Sequence, residues 1–191
     1  MGALMGLIVL WLHRVSLGRR EVWIELGSGD RPARGYLHCD VRPRRHVECA
    51  ADVGAGLPFR SGVADRILAC HILEHFSWRR TSNVLSEWAR VLRTGGQLEL
   101  ITPNLRWTCT KYATDDYSKY TRYHIQSDIF GAQDYPKNYH HAGFDWAFLS
   151  KLLAGLGFDP VIDLSASGGK HDMSRRLHVV ATKTDACRRL G

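Results

Sequence analysis

Two carboxylates bracket a glycine turn near the start of this chain: Glu25 precedes Gly27-Ser28-Gly29, and Asp40 follows Gly27 by 13 residues. The stretch from Val22 to Asp40 reads VWIELGSGDRPARGYLHCD, a short apolar strand, an acidic residue at its end, a Gly-Ser-Gly turn and a second strand closing on Asp40. Glycine permits a sharp turn and lets a ligand approach the backbone with no Cβ between them. A carboxylate at the tip of the next strand can accept hydrogen bonds from ribose hydroxyls. This chemistry suits a nucleoside cofactor lying across the C-terminal edge of a sheet. It does not suit a nicotinamide dinucleotide, whose acidic partner stands about 20 residues beyond the glycines. Arg31 takes the place of an early third glycine, and Pro32 interferes further. The first connection must therefore be a loop or a single turn rather than a full crossover helix.

The elements that must hold these residues alternate in type, which predicts an α/β fold with a mostly parallel sheet. Strands are expected near 22–26, 36–39, 47–51, 66–71, 97–102, 160–165 and 177–183. Val84, Leu85, Trp88, Val91 and Leu92 have helical spacing, with Gly95-Gly96 expected to end that helix. Trp146, Leu149, Leu152, Leu153 and Leu156 repeat the spacing, with Asp145 as the expected N-cap and Gly157 as the stop. Between Leu105 and Gly143 the pattern changes to a run of aromatics and histidines without a clean period. A structureless stretch of that length is unusual. It is expected to be a partly helical insertion over the active-site edge, an extra surface layer being the plainer alternative.

Composition narrows the class. At 191 residues the chain suits one domain with a substantial core, and neither repeats nor low-complexity tracts stand out. The formal charge of +7 comes from 20 Arg and 6 Lys, scattered in pairs rather than gathered in one arm, so a solvated basic surface is expected before a nucleic-acid interface. Five cysteines without a CxxC pair predict neither a disulfide framework nor a zinc site and fit a reducing, cytoplasmic compartment. Residues 3–12, ALMGLIVLWL, are too few to span a bilayer, which takes about 20. They are expected to pack on the domain, with a peripheral membrane or partner contact as the alternative. The chain thus divides into an apolar and basic segment at 1–20 and a globular domain at 21–185 with the insertion at 105–144.

In order along the chain, several segments resemble the class I S-adenosylmethionine-dependent methyltransferases, in particular the type 11 group. Ile24-Glu25-Leu26-Gly27-Ser28-Gly29 resembles the first cofactor motif. Gly35-Tyr36-Leu37-His38-Cys39-Asp40 resembles the second strand of the subgroup whose first helix is truncated. Asp52 with Leu57-Pro58-Phe59 resembles the adenine-side motif, and His71-Ile72-Leu73-Glu74-His75 the segment after the fourth strand. Glu87-Trp88 through Gly95-Gly96 resembles the helix and turn before the fifth strand, and Tyr139 to Asp145 the histidine-containing segment before the last helix. Thr94, Asn104 and His141 depart from the residues common at their positions, which are Pro, Asp and Lys.

The resemblance implies a Rossmann-like methyltransferase fold with a seven-stranded mostly parallel sheet, helices on both faces and a truncated first crossover helix. It implies S-adenosylmethionine as cofactor, bound by Glu25, Gly27, Ser28, Gly29, Asp40, Val41, Asp52, Val53 and His71. Glu25 would reach the methionine amino group, or instead cap its own turn. Asp40 would accept from both ribose hydroxyls. Asp52 would accept from the adenine amino group, or instead cap a helix, and the backbone N–H of Val53 would meet the ring. His140 is the candidate base or substrate-positioning residue, and His71, after the fourth strand where cofactor and substrate would meet, is the second candidate, or instead a buried hydrogen-bonded histidine. No arrangement reads as a metal site, because His140 and His141 are adjacent and face apart with no carboxylate pair nearby. The implied activity is methyl transfer to an O or N atom of a small molecule, sugar or glycan intermediate. An RNA or protein substrate is the alternative, as is a catalytically inactive partner protein of the same fold. The sequence leaves the oligomeric state open.

Overall fold

The computed structural model describes residues 21–115, 122–165 and 175–186, so the expectations for the segment at 1–20 lie outside the described residues. Seven strands form one sheet in the order β3-β2-β1-β4-β5-β7-β6. They are β1 (Trp23–Leu26), β2 (Leu37–Asp40), β3 (Cys49–Ala50), β4 (Ala64–Cys70), β5 (Leu92–Pro103), β6 (Phe158–Asp163) and β7 (Arg176–Lys183). All seven expected strands are present. β1 pairs in parallel with both β2 and β4, and β4 with β5. β7 inserts antiparallel between β5 and β6. The parallel half buries residues on both of its faces, as a sheet covered on both sides does. Ile24, Leu26, Leu37, Cys39 and Ile67 are completely buried there.

No helix stands between β1 and β2, so the short Gly27-to-Asp40 spacing is accommodated by a loop. That loop closes on its own strands: the Gly27 and Ser28 amides both donate to the Cys39 carbonyl, at 2.8 and 3.3 Å. The parallel order 3-2-1-4-5 also reverses direction between β1 and β4. The C-terminal ends of strands beside such a reversal leave a crevice for ligand.

Helix α1 (Thr81–Val91) presents Val84, Leu85, Trp88 and Val91 to the sheet, at the spacing that puts residues on one helical face. Its end differs from the expectation. Leu92 is already extended at ψ 139° and pairs with Ala64 of β4, while Gly95 and Gly96 fall inside the span of β5. Strand pairing draws the chain out of the helix before the glycines are reached. Helices α2 (Leu105–Ala113) and α3 (Arg122–Phe130) occupy part of the aromatic stretch, and α4 (Trp146–Gly155) follows it. Asp145 caps α4 by accepting from the Phe148 amide at 2.8 Å, and Gly157 turns the chain away at φ +88°. No helix of the described residues is long and apolar enough to cross a membrane.

Candidate functional site

A cleft of about 630 Å³ opens at the C-terminal ends of β1, β2 and β4. All nine residues expected to bind the cofactor line it: Glu25, Gly27, Ser28, Gly29, Asp40, Val41, Asp52, Val53 and His71. Their backbones and side chains are tightly prearranged. Gly27 sits at φ +69°, and a Cβ there would meet the Ile72 side chain at 2.6 Å. Only glycine fits both the left-handed backbone and that packing. The buried Asp40 carboxylate accepts from the Gly29 amide at 2.9 Å through Oδ2 and from the Arg42 amide at 2.8 Å through Oδ1. These bonds hold its plane toward the cleft while leaving lone pairs on each oxygen.

Glu25 is also buried, and its Oε2 accepts from the Ala33 amide at 2.8 Å, tying the far side of the loop to β1. Burial raises its pKa above the ordinary carboxylate value, with the Ala33 amide and His38 opposing that rise. Ser28 contributes a buried hydroxyl that has no hydrogen-bond partner among the described residues. That hydroxyl is therefore free to hydrogen-bond a ligand in the cleft.

Asp52 heads the turn at 52–55: its Oδ1 accepts from the Gly54 amide at 2.9 Å and its carbonyl from the Ala55 amide at 2.9 Å. Trp88 fixes this turn from below by donating its indole N–H to the Val53 carbonyl at 2.8 Å. Arg80 grips the Gly54 carbonyl at 2.7 Å, and Phe76 packs where a Gly54 side chain would be. The Leu57-Pro58-Phe59 segment is held to α1 in the same manner. Glu87 accepts the Leu57 amide at 2.7 Å, and Arg90 donates to the Phe59 carbonyl at 2.8 Å.

His71 ends β4 with a left-handed backbone at φ +51°, uncommon outside glycine, and its Nδ1 lies 3.1 Å from Glu74 Oε1. Glu74 is buried and also accepts from the Thr102 hydroxyl at 3.1 Å. The chain then enters the single 3₁₀ turn Leu73–His75.

The two candidate catalytic histidines are not in the same cavity. His71 faces the large cleft, whereas His140 lines a second cavity of about 250 Å³ with Glu74, Thr102, Asp128 and Phe130. His141 touches both cavities. The segment carrying these histidines docks on the 3₁₀ turn: the His141 and Ala142 amides donate to the Glu74 carbonyl at 2.8 and 3.2 Å. The His75 ring meets the His140 ring edge-on with centroids 4.9 Å apart. A set of possible ligands does form, though not through the His140-His141 pair. Glu74, His75 and His140 bring ligand atoms within 4.8 Å of one another. The partner of His140 is a histidine 65 positions earlier in the chain, not its neighbour.

The sequence reading missed residues at the rim. Arg31, Arg42, Tyr135 and Lys137 line the mouth of the large cleft, with the Arg42 guanidinium 4.6 Å from the centre of the Tyr135 ring. Arg42 lies two positions from Asp40, so it was within reach of the strand-end reasoning. Tyr135 and Lys137 belong to the aperiodic stretch and gave no such signal.

Residues 32–100, a little over a third of the chain, match the methyltransferase domain family. No curated protein matches the chain. Among solved structures it resembles the CurJ carbon methyltransferase at 18% identity and a TM-score of 0.57, over 93% of this chain and 54% of that one. The chain thus spans about half the length of that neighbour. It also resembles the 1,6-didemethyltoxoflavin-N1-methyltransferase of Burkholderia thailandensis, solved with its substrate and S-adenosylhomocysteine, at 16% identity, a TM-score of 0.54 and 96% and 80% coverage. A third is an S-adenosylmethionine-dependent methyltransferase of Thermotoga maritima, at 14% identity, a TM-score of 0.54 and 96% and 92% coverage. At these identities the structural likeness is one of fold. Residues 32–100 thus match the methyltransferase domain family, and the seven-stranded order with its antiparallel β7 is the fold that these S-adenosylmethionine-dependent methyltransferases share.

Proposed function

We propose that the chain transfers a methyl group to an oxygen or nitrogen atom of a small molecule, sugar or glycan intermediate. The observation that carries this reading is the adjacency of two unequal cavities. One of about 630 Å³ is lined by the strand-end carboxylates and the glycine turn, and the other, of about 250 Å³, by Glu74, Thr102 and His140. The first has the volume of a small-molecule site and the second suits a compact acceptor or a terminal group. Residues 21–185 would form the catalytic domain, with 105–144 as its acceptor-side insertion.

S-adenosylmethionine, when bound, supplies a methyl group activated by a sulfonium. The residues of the chain bind, align and exclude water. In this reading the free lone pairs of Asp40 accept the ribose hydroxyls, and the backbone from Gly27 to Gly29 lies along the methionine portion with the Ser28 hydroxyl toward it. Glu25 faces the methionine ammonium, Asp52 the adenine amino group and the Val53 amide the ring. Val41, exposed at the rim, and His71 flank them.

His140 lies on the acceptor side. Its Nδ1 is 3.0 Å from the Asp128 carbonyl, which can only accept, so in the neutral ring the proton resides on Nδ1 and Nε2 carries a lone pair. That is the protonation state required to orient an acceptor hydroxyl or take its proton. Asp128 is itself locked by two bonds from Arg175, at 2.6 and 2.7 Å.

Free cysteines at Cys39, Cys49, Cys70 and Cys109 fit a reducing, cytoplasmic setting. The test is calorimetry with S-adenosylmethionine and S-adenosylhomocysteine for the wild type and Asp40→Ala, followed by S-adenosylhomocysteine release over a panel of sugars, phenols and amines. Binding lost in Asp40→Ala and turnover with a small acceptor are expected. A folded wild type that binds neither ligand overturns the cofactor assignment. Turnover on RNA alone, with a steeply salt-dependent complex, overturns the acceptor class.

A further inference from the structure

We infer that Glu74, His75 and His140, brought together by docking of the 139–142 segment on the 3₁₀ turn, form a binding site for a divalent transition-metal ion between the two cavities. Each of the three residues offers a ligand atom within 4.8 Å of the others. The zinc-class ions accept such nitrogen and carboxylate sets, with three protein ligands and an open position in catalytic sites.

Three observations point to a cation rather than to packing alone. The first is the pair of imidazoles. His75 Nδ1 lies 3.0 Å from the Tyr139 carbonyl and His140 Nδ1 3.0 Å from the Asp128 carbonyl. Carbonyls only accept, so each ring, when neutral, carries its proton on Nδ1 and presents Nε2 as a lone-pair donor. Metal-ligating histidines are characteristically oriented in this way, through the second ring nitrogen.

The second is the carboxylate. Glu74 is 1% exposed, and its oxygens meet only the Thr102 hydroxyl and the His71 ring. Among the described residues its one ion-pair partner is the His71 ring, a cation only when protonated, and no lysine or arginine pairs with it. A buried carboxylate whose partner is not a permanent cation is costly, and a metal ion answers that cost directly. Two hydrogen bonds still leave lone pairs on each oxygen for a metal.

The third is rigidity. The Glu74 carbonyl accepts two amides from the docked segment, and Asp128 is held by the Arg175 fork. The outer contacts that would orient the ligands are therefore already in place.

The open coordination position would face the smaller cavity, which Glu74 and His140 both line. The role there, though not the binding itself, rests on the acceptor reading above. A metal ion lowers the pKa of a bound hydroxyl, whose proton leaves to solvent. The acceptor oxygen then forms its bond to the methyl carbon as the sulfur–carbon bond breaks and its electron pair returns to sulfur. The Nε2 of His140 would hold the metal rather than take the proton itself.

The test uses the full chain freed of metal and titrated with Co²⁺, followed by visible absorption, and with Zn²⁺ as competitor. One Co²⁺ per chain is expected, with visible bands, no thiolate charge-transfer band and displacement by Zn²⁺. Glu74→Gln and His140→Ala should each weaken binding by about 100-fold or more, beyond the loss typical of outer-shell changes. His141→Ala should retain it. Circular dichroism checks folding, and His140→Gln serves if His140→Ala does not fold. No uptake by the folded wild type, uptake unchanged in Glu74→Gln and His140→Ala, or thiolate bands from cysteine ligation would overturn the site. S-adenosylhomocysteine calorimetry on the same samples separates the two readings. Protein that binds this ligand but no Co²⁺ loses only the metal site, and protein that binds Co²⁺ but not this ligand loses only the methyltransferase assignment.

Discussion

The two cavities are built by different means. The larger is formed largely by short-range chain geometry: Asp40 reaches the Gly29 amide across 11 residues, Glu25 the Ala33 amide across 8, and Asp52 the Gly54 amide across 2. The smaller is formed by long-range docking: the His141 amide donates to the Glu74 carbonyl, far apart in the chain, and Arg175 meets Asp128 across 47 residues. A site made from strand ends and tight turns is specified wherever the sheet forms. A site made by docking a loop exists only while the loop stays docked. The first arrangement suits a fixed cofactor, and the second allows the acceptor side to vary on the same scaffold.

That contrast can be broken most severely at Gly27. Gly27→Ala forces a side chain into the left-handed backbone and against Ile72. A loss of about 2–4 kcal/mol in stability is expected. Thermal unfolding should register it, and cofactor binding should vanish by calorimetry. A variant with native stability and native affinity would show that the turn adapts and that the first cavity is less fixed than its contacts indicate.

Asp40→Ala removes a charged acceptor and leaves the Gly29 and Arg42 amides without it. S-adenosylhomocysteine affinity should fall at least about 100-fold, since hydrogen bonds to charged groups contribute roughly 1.5–3 kcal/mol each. His140→Ala should do the converse. Turnover should drop by about 10²-fold or more while cofactor affinity stays within about 3-fold, because the ring acts on the acceptor side. Equal loss of cofactor affinity in both variants would erase the division between the cavities.

A smaller effect is expected from pH through Glu25. Burial raises its pKa in the folded protein above that of the unfolded chain. Between those two values the folded state holds the extra proton, so stability should fall as pH rises through the window. Affinity for the cofactor should rise over the same range as the carboxylate becomes charged. Glu25→Gln keeps an acceptor for Ala33 and should flatten both dependences, as denaturant titrations and calorimetry across pH 4–7 would reveal. The smallest change expected is Ser28→Ala. Its hydroxyl lacks a protein partner, so stability should be unchanged or slightly improved. Cofactor affinity should fall less than about 10-fold, in keeping with one neutral hydrogen bond.

Much of the first cavity is legible in the amino-acid sequence. The alternation of apolar runs indicates the seven strands, and the spacing from Gly27 to Asp40 rules out a first crossover helix. Asp145 and Gly157 mark the ends of α4. The end of α1 is misplaced by local rules because strand pairing at Leu92, a nonlocal event, overrides the stop signal of Gly95-Gly96. The rim residues Tyr135 and Lys137 stay hidden because the loop that carries them has no period to read.

The sequence by itself determined the order of elements, the turn chemistry at Gly27 and the placement of Glu25, Asp40 and Asp52 around one cleft. These follow from contacts between residues close along the chain or on neighbouring strands, where backbone geometry leaves few choices. Only the tertiary structure decided that His140 lines the smaller cavity beside the buried Glu74 rather than the larger cleft. That choice depends on how the 139–142 segment hydrogen-bonds to the Glu74 carbonyl and how Arg175 anchors Asp128. No local rule fixes pairings of that range, because their geometry is set by the packing of everything between them.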